Sequence, residues 1–401
     1  MQTAVILGAG IMGLSSAWAL SRAGFAVRVI DQDEVPNPRG ASVDDHRLIR
    51  HAYGAQAGYM RMIDPSYAAW DLLFREAGER PYVETGVLAL AESPGGWLAD
   101  SRAALLAGGH AVQDLAAEAV AACFPFLSPA GIADAFHLKP GGVLLARRII
   151  QALAALLARR GVPITRARAV AVDPARGGVT LEDGRREEAD LLVIAAGPWG
   201  PRLVPGLAAR VRPTRQIVVR LAPPPEAAAA WERAPMLLDL AEDGGFYAVP
   251  PVAGTPLKIG DHRFAPTADP DGPREASDAE RDAILDLARH RIRDLGRYRI
   301  LSAAACWYDV EPQERFVVEP LGPHAIVMSG FSGHGFKFGA LLGLAVARAA
   351  RDSAIAAALP AWAAGDAPPP AGLFADLASR RASCSRRWAR RPRPTARRRR
   401  M

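Results

Sequence analysis

The sequence predicts an α/β protein in which a Rossmann-like nucleotide-binding domain is interwoven with an α+β domain built on a mostly antiparallel sheet. Three observations predict this. A glycine fingerprint, Gly8-Ala9-Gly10-Ile11-Met12-Gly13, follows the first apolar run. A second apolar run, "ADLLVIAAG", ends on glycine in mid-chain, and a third, "AIVMSG", precedes the glycine-rich stretch "GFSGHGFKFG". Pieces of one nucleotide-type sheet thus recur at the start, middle and end. The strand-rich stretches between them must form a second domain inserted into the first.

Taken in order, Thr3–Leu7 is a short β-rich strand. The stretch "LSSAWALSRAG" is helical, with Leu14, Ala17, Trp18 and Ala19 on its apolar face and Gly24 as its stop. "FAVRVID" is the second strand, completing a βαβ start. A Pro-, Asn- and Gly-rich loop runs to about Val43, and residues 60–79 read as a helix. "VETGVLALAE" is a strand, and the Ala-rich residues 101–130 are helical in pieces. "GGVLLARRIIQALAALLARRGVPI" gives a strand end, a helix and a glycine stop. Residues 167–197 hold three strands joined by turns at Asp-Pro and Asp-Gly. Strands dominate from Arg212 to about Tyr308, with one helix around 277–294. "AIVMSG", the glycine loop and an apolar helix beginning near Phe338 close the fold. The resulting division is 1–80, 145–211 and 320–365 for the nucleotide domain and 81–144 and 212–319 for the substrate domain. Residues 366–401 form a linker and tail.

The 401 residues are half hydrophobic, enough for a sizeable core, and carry a formal charge of +7. Eleven arginines and no acid lie between Arg380 and Met401, more than the whole excess, so the preceding body is net acidic. The tail is expected to be a solvated, disordered extension, and no nucleic-acid partner is expected. Cys123, Cys306 and Cys384 lack paired spacing, which argues against a disulfide framework. No run of eighteen apolar residues suggests a membrane span, and no charged leader precedes the first strand. A cytoplasmic location is the expectation. No metal site is expected.

In Gly8-x-Gly10-x-x-Gly13 the first glycine makes the tight turn, the second admits a pyrophosphate and the third lets helix and strand pack closely. The helix N-terminus offers free N–H groups and a positive dipole end to phosphates. Asp31, eighteen residues after Gly13, can accept ribose hydroxyls and would repel a 2′-phosphate. The fingerprint alone leaves NAD and FAD open. The "ADLLVIAAGPWGPRL" segment, with backbone made approachable at Gly197, favours FAD.

"GAGIMGLSSAWAL", "HRLIRHAYG", "FYAVPPVAGTPLKIGDH", "CWYD" and "GFSGHGFKFG", in order over about residues 3–350, resemble the monomeric sarcosine oxidase and N-methyltryptophan oxidase family. The resemblance implies FAD-dependent oxidation of a secondary amine, an N-methyl or cyclic amino acid, by hydride transfer to flavin N5. Reoxidation by O2 then gives H2O2, and the protein is a monomer. It implies flavin linked through Cys306, a substrate carboxylate gripped by Arg50 and Lys337, and Lys258 beside flavin N5 on the face opposite the substrate. Tyr247, His262 and Tyr308 would line the substrate side. Ile11, Met12, Arg47, Val170, Gly197, Trp199 and Phe336 would join Gly8, Gly10, Gly13 and Asp31 around the cofactor. Gly330, Gly333 and Gly335 would bring backbone to the pyrimidine end of the ring, with Lys337 at that junction.

Two places depart from the family pattern. Ser42-Val43-Asp44-Asp45-His46 stands where relatives carry a histidine pair and a small residue, and bulky Trp307 follows Cys306. Both bear on flavin tuning and substrate size. Three other readings stay open: a dehydrogenase of the same fold passing electrons to a carrier, a biosynthetic imino-acid oxidase, and a non-catalytic flavin-binding protein with a nucleic-acid-binding tail.

Overall fold

The computed structural model describes residues 1–241 and 245–378; the arginine-rich tail and Cys384 lie outside them. A six-stranded sheet runs Val317–Pro320, Ala325–Ser329, Leu191–Ile194, Thr3–Leu7, Ala26–Asp31, Ile164–Arg166 from edge to edge. Every pairing is parallel except the first, which is antiparallel. The central strands "TAVIL", "LLVI" and "AIVMS" are nearly continuous apolar runs because helices and loops cover both faces. Val5 is in register with Leu192 on one side and Arg28 on the other.

Helix Ile11–Arg22 crosses this sheet and packs on helix Gly339–Ala349. The approach is so close that a Cβ on Gly343 would lie 2.4 Å from the Ser15 carbonyl oxygen. The second helix shows little amphipathic bias because it is buried on nearly every side. It starts at Gly339, after a 3₁₀ turn over Phe336–Phe338.

The second sheet has eight strands, in the order Arg299–Val310, Arg212–Ala222, Leu257–Gly260, Phe246–Val249, Met236–Leu240, Val87–Ala91, Asp134–Leu138, Gln113–Asp114. All pairs are antiparallel except Met236–Leu240 with Val87–Ala91, so the expected antiparallel architecture is present. Helix Asp278–Arg289 packs against it, opened by a capping box between Ser277 and Glu280. Beneath it Trp231 stacks on Phe126 at 4.0 Å, and fully buried Arg291 pairs with Asp239 at 2.5 Å.

Residues 167–197 hold four strands rather than the three expected. Ala169–Asp173, Gly178–Leu181 and Arg186–Glu188 make a separate small sheet, and Leu191–Ile194 joins the parallel one. The extra strand, "REE", is polar and largely exposed, so hydropathy hides it. Among the described residues no helix is long and apolar enough to cross a membrane.

Candidate cofactor and active site

The main cavity opens at the C-terminal ends of the parallel strands, lined by the glycine fingerprint on one side and the stretch 328–336 on the other. Gly8 sits at φ +105°, and a Cβ there would lie 2.3 Å from the Ala195 carbonyl oxygen. A Cβ on Gly13 would fall on the Gly8 carbonyl, while one on Gly10 would meet only the Ser42 hydroxyl at 3.3 Å. The first and third glycines therefore serve chain packing, and the second keeps backbone open beside the cavity. Ser42 Oγ accepts the Ile11 N–H at 3.0 Å, leaving the next N–H groups of the first turn for a ligand. Asp31 accepts from Ala9 N–H at 2.6 Å, Asp33 N–H at 3.0 Å and Asn37 Nδ2 at 2.7 Å. Its carboxylate thus braces the fingerprint and keeps lone-pair capacity towards the cavity. Ile11, Met12, Arg47, Val170, Gly197, Trp199, Tyr308, Gly333, Gly335 and Phe336 all border the same space. A tightly packed glycine turn, a helix N-terminus, a strand-end acid and a cleft between them and residues 328–336 fit a dinucleotide.

Gly330 does not border this space. It ends the strand Ala325–Ser329 at φ +71°, and a Cβ there would press on Val317 at 3.0 Å. At Gly333, φ +78°, a Cβ would enter the Tyr308 ring at 2.1 Å. What approaches the glycine loop most closely is therefore the protein's own Tyr308, carried on the eight-stranded sheet.

Strand Arg299–Val310 alternates its faces, so Cys306 and Tyr308 point to one side and Trp307 to the other. Trp307 is buried and packs near Gly272, so it does not narrow the pocket as the sequence suggested. The Cys306 sulfur is buried 3.6 Å from Arg47 Nη2. Burial raises the Tyr308 phenol and pushes the Tyr247 phenol well up, so both are neutral hydrogen-bonding groups. Tyr247 lies across from Gly260 in register, with its hydroxyl in the space a Cβ on Gly260 would take.

Asp44 gathers three cations. It accepts from Lys258 Nζ at 2.7 Å, Arg220 Nη2 at 2.6 Å and Arg47 Nη1 at 2.5 Å. Burial alone would raise this carboxyl, but Lys258, Arg47 and Arg220 outweigh it and hold it well below the usual range. Lys258 is 2% exposed and also donates to the His46 carbonyl at 2.9 Å. Burial pulls its ammonium below the usual value, against the attraction of Asp44. His46 donates from Nε2 to the Pro256 carbonyl at 3.2 Å, and burial brings its pKa down to about 4.

A second cationic group forms around Tyr53. Lys337, 4% exposed, donates to the Tyr53 hydroxyl at 2.9 Å and to the His334 carbonyl at 3.2 Å. The Arg50 guanidinium lies 4.8 Å from the Tyr53 ring centroid and 5.3 Å from that of Trp97, and donates to the Ala52 carbonyl. Neither cation has a carboxylate within ion-pair distance among the described residues. Burial, then Arg50, holds Lys337 well below its ordinary value. His334 Nε2 donates to the Glu314 carbonyl at 3.1 Å and its Nδ1 faces the Tyr53 hydroxyl at 3.4 Å. His262, with a side chain 46% exposed, pairs with Glu314 Oε2 at 3.2 Å.

Sequence reasoning assigned no role to Tyr53, His334, Glu314, Asp44 or Asp309. The first two and Asp309 stand inside the quoted motifs. Asp309 borders the cavity, accepts from Ser329 Oγ at 3.1 Å, and burial raises its pKa to about 6. Glu314, at φ +59°, sits in a loop without a pattern of its own.

The family model for FAD dependent oxidoreductases, DAO, matches residues 3–349. Monomeric sarcosine oxidase from Bacillus sp. (strain B-0618) is 25% identical over 348 residues, 84% of this chain and 89% of that one. N-methyl-L-tryptophan oxidase from Escherichia coli (strain K12) is 28% identical over 371 residues, 87% and 94%. Among solved structures, fructosyl amine: oxygen oxidoreductase (Amadoriase I) from Aspergillus fumigatus shares the fold, with a TM-score of 0.75 at 20% identity over 91% of this chain and 92% of that one. With the family model spanning nearly all of the described residues and a dinucleotide cleft built as such a cofactor requires, the chain belongs to the DAO family of FAD-dependent oxidoreductases.

Proposed function

We propose that the protein oxidises a secondary amine that carries a carboxylate, an N-methyl or cyclic amino acid. The observation that carries this reading is the pair of cations, buried Lys337 and half-buried Arg50, meeting at Tyr53 with no carboxylate within ion-pair distance among the described residues. Buried charge without a counter-ion is costly, so the site favours an anion. A guanidinium fork and an ammonium suit a carboxylate. The amines named for the curated relatives agree with this chemistry.

When bound, FAD would take up the two electrons removed from the carbon beside nitrogen. The fingerprint around Gly10 would hold its pyrophosphate, Asp31 its ribose, and Gly333, Gly335 and Phe336 its ring, with Cys306 as the covalent tether. Arg50 and Lys337 orient the substrate by its carboxylate, and such positioning is the main work left to the protein. Tyr247 and Tyr308, kept neutral by burial, offer hydrogen bonds without adding charge, and His262 with Glu314 stands towards solvent. Molecular oxygen is the proposed electron acceptor.

One observation favours a second reading, a dehydrogenase. Lys258 already has an anionic partner in Asp44, which reduces the field it exerts on anything beside it. An amine panel read by peroxide separates the two: stoichiometric peroxide in air supports the oxidase, and turnover only with an added carrier supports the dehydrogenase. No turnover of any carboxylate-bearing amine would defeat both. Acid precipitation tests the tether: a yellow pellet with flavin mapped to the Cys306 peptide is expected, and a colourless pellet rejects it.

A further inference from the structure

We propose that His51, Asp64 and His110 form a binding site for a divalent transition metal of the zinc class, separate from the cofactor cavity. The three residues come from different segments. His51 follows the strand Arg47–Ile49, Asp64 lies on helix Ala57–Ala77, and His110 lies just past helix Gly96–Ala107. One nitrogen from each imidazole and one carboxylate oxygen all lie within 4.8 Å of one another. His51 Nε2 is 3.0 Å from Asp64 Oδ1, and the two imidazole centroids are 4.4 Å apart with their planes tilted by 48°.

These distances are close to what a metal needs. Zinc takes imidazole nitrogen and carboxylate oxygen at about 2.0–2.2 Å, which sets tetrahedral donor atoms roughly 3.5 Å apart. The widest separation here must therefore close by only about an ångström, within the reach of side-chain rotation. Two imidazoles with one carboxylate suit Zn²⁺, Cu²⁺ or Ni²⁺ and do not suit Mg²⁺ or Ca²⁺, which require oxygen ligands.

The setting supplies the remaining requirements. His51 is 1% exposed, so its ring is held before any metal arrives. Its Nδ1 has no partner, so its strong interaction is on the Nε2 side, towards Asp64. The Asp64 side chain is 58% exposed, which leaves an entry path and room for a water as fourth ligand. A metal ion would take the place of the direct contact between His51 Nε2 and Asp64 Oδ1. Spacings of thirteen and forty-six residues match no metal motif, which is why none was expected from sequence.

Such an ion would tie the loop after helix Gly96–Ala107 to the segment that begins at Arg50. Trp97 of that helix already lies under the Arg50 guanidinium. The site would stiffen the outer wall of the cationic group without touching it.

The test uses flavin-loaded protein stripped with a chelator, dialysed and titrated with ZnCl₂ in a calorimeter. One Zn²⁺ per wild-type chain is expected at micromolar affinity, weakened roughly tenfold or more in both His110→Ala and Asp64→Asn. Flavin absorbance and circular dichroism check that the variants are folded. Co²⁺ added to wild type alone gives a second measure, since a bound ion in a tetrahedral nitrogen and oxygen site shows strong visible absorption. No binding at micromolar Zn²⁺, or equal affinity in wild type and both variants, overturns the proposal. So does the lack of a Co²⁺ band.

Discussion

Replacing Asp44 with Asn keeps the shape of the residue and removes the carboxylate shared by Lys258, Arg220 and Arg47, while Arg220 keeps a second partner in Asp45 at 3.3 Å. With charge centres about 4 Å apart and an effective dielectric near 20, each attraction is worth about 4 kcal/mol before desolvation is subtracted. Desolvation of the buried ions cancels most of that sum. What the substitution exposes is the cost of buried Lys258 and half-buried Arg47 without their counter-charge, about 3–5 kcal/mol. The sign with pH follows from the depressed carboxyl. Its contribution is complete above its unfolded pKa of about 3.9 and is lost as pH falls through the lower folded value. Urea unfolding of the loaded protein at pH 7 should therefore show the full gap between wild type and Asp44→Asn, narrowing only in acid. Because the cluster is buried, added salt should change the gap little. The variant should also make bound FAD easier to reduce, since Arg47 lines the cavity and its wall becomes more positive. A stability loss below about 1 kcal/mol at pH 7 would refute the clamp.

Three further outcomes are expected. His46 has a folded pKa of about 4 against about 6.5 unfolded, so the unfolded chain takes the proton first as pH falls. Stability should drop by about 3 kcal/mol between pH 6.5 and 4, and His46→Gln should flatten that slope; an unchanged slope in urea midpoints counts against the assignment. Lys337→Met should raise KM for a carboxylate-bearing amine roughly ten- to a hundredfold, the worth of one charged hydrogen bond, while KM for the matching amine without the carboxylate stays put. Gly333→Ala should cost about 1–3 kcal/mol and weaken flavin retention, because its methyl would enter the Tyr308 ring. Full flavin content with unchanged melting would show that the loop can yield.

The parallel sheet was legible because its strands are unbroken apolar runs placed beside glycines, a pattern that burial on both faces imposes. The cationic pair was legible only through motif resemblance, since Arg50 and Lys337 lie 287 positions apart in the chain and nothing local links them. Asp44 showed in the sequence as a departure, and Arg47 stands three residues on, but its other two partners come from distant positions, and only folding brings Arg220 and Lys258 to it. Trp307 misled because bulk was read without strand alternation. Gly330 misled because a glycine loop has two uses, ligand approach and chain packing, and composition does not separate them. The strand Arg186–Glu188 escaped because an exposed polar strand is held by its ladder partner rather than by burial.

The contact between Gly333 and the Tyr308 ring joins the last-made part of the cavity to the second sheet, while the fingerprint at Gly8 belongs to the first-made part. On the ribosome this order has a temporal consequence. The early βαβ unit emerges with its glycine fingerprint but lacks the Ala195 backbone that Gly8 packs against, and lacks the opposite wall until the chain beyond Phe336 is released. Cofactor capture is therefore a late event of biosynthesis, and the long-range pairing it waits for makes closure slow. A chain truncated before the glycine loop would hold an intact fingerprint and still be colourless.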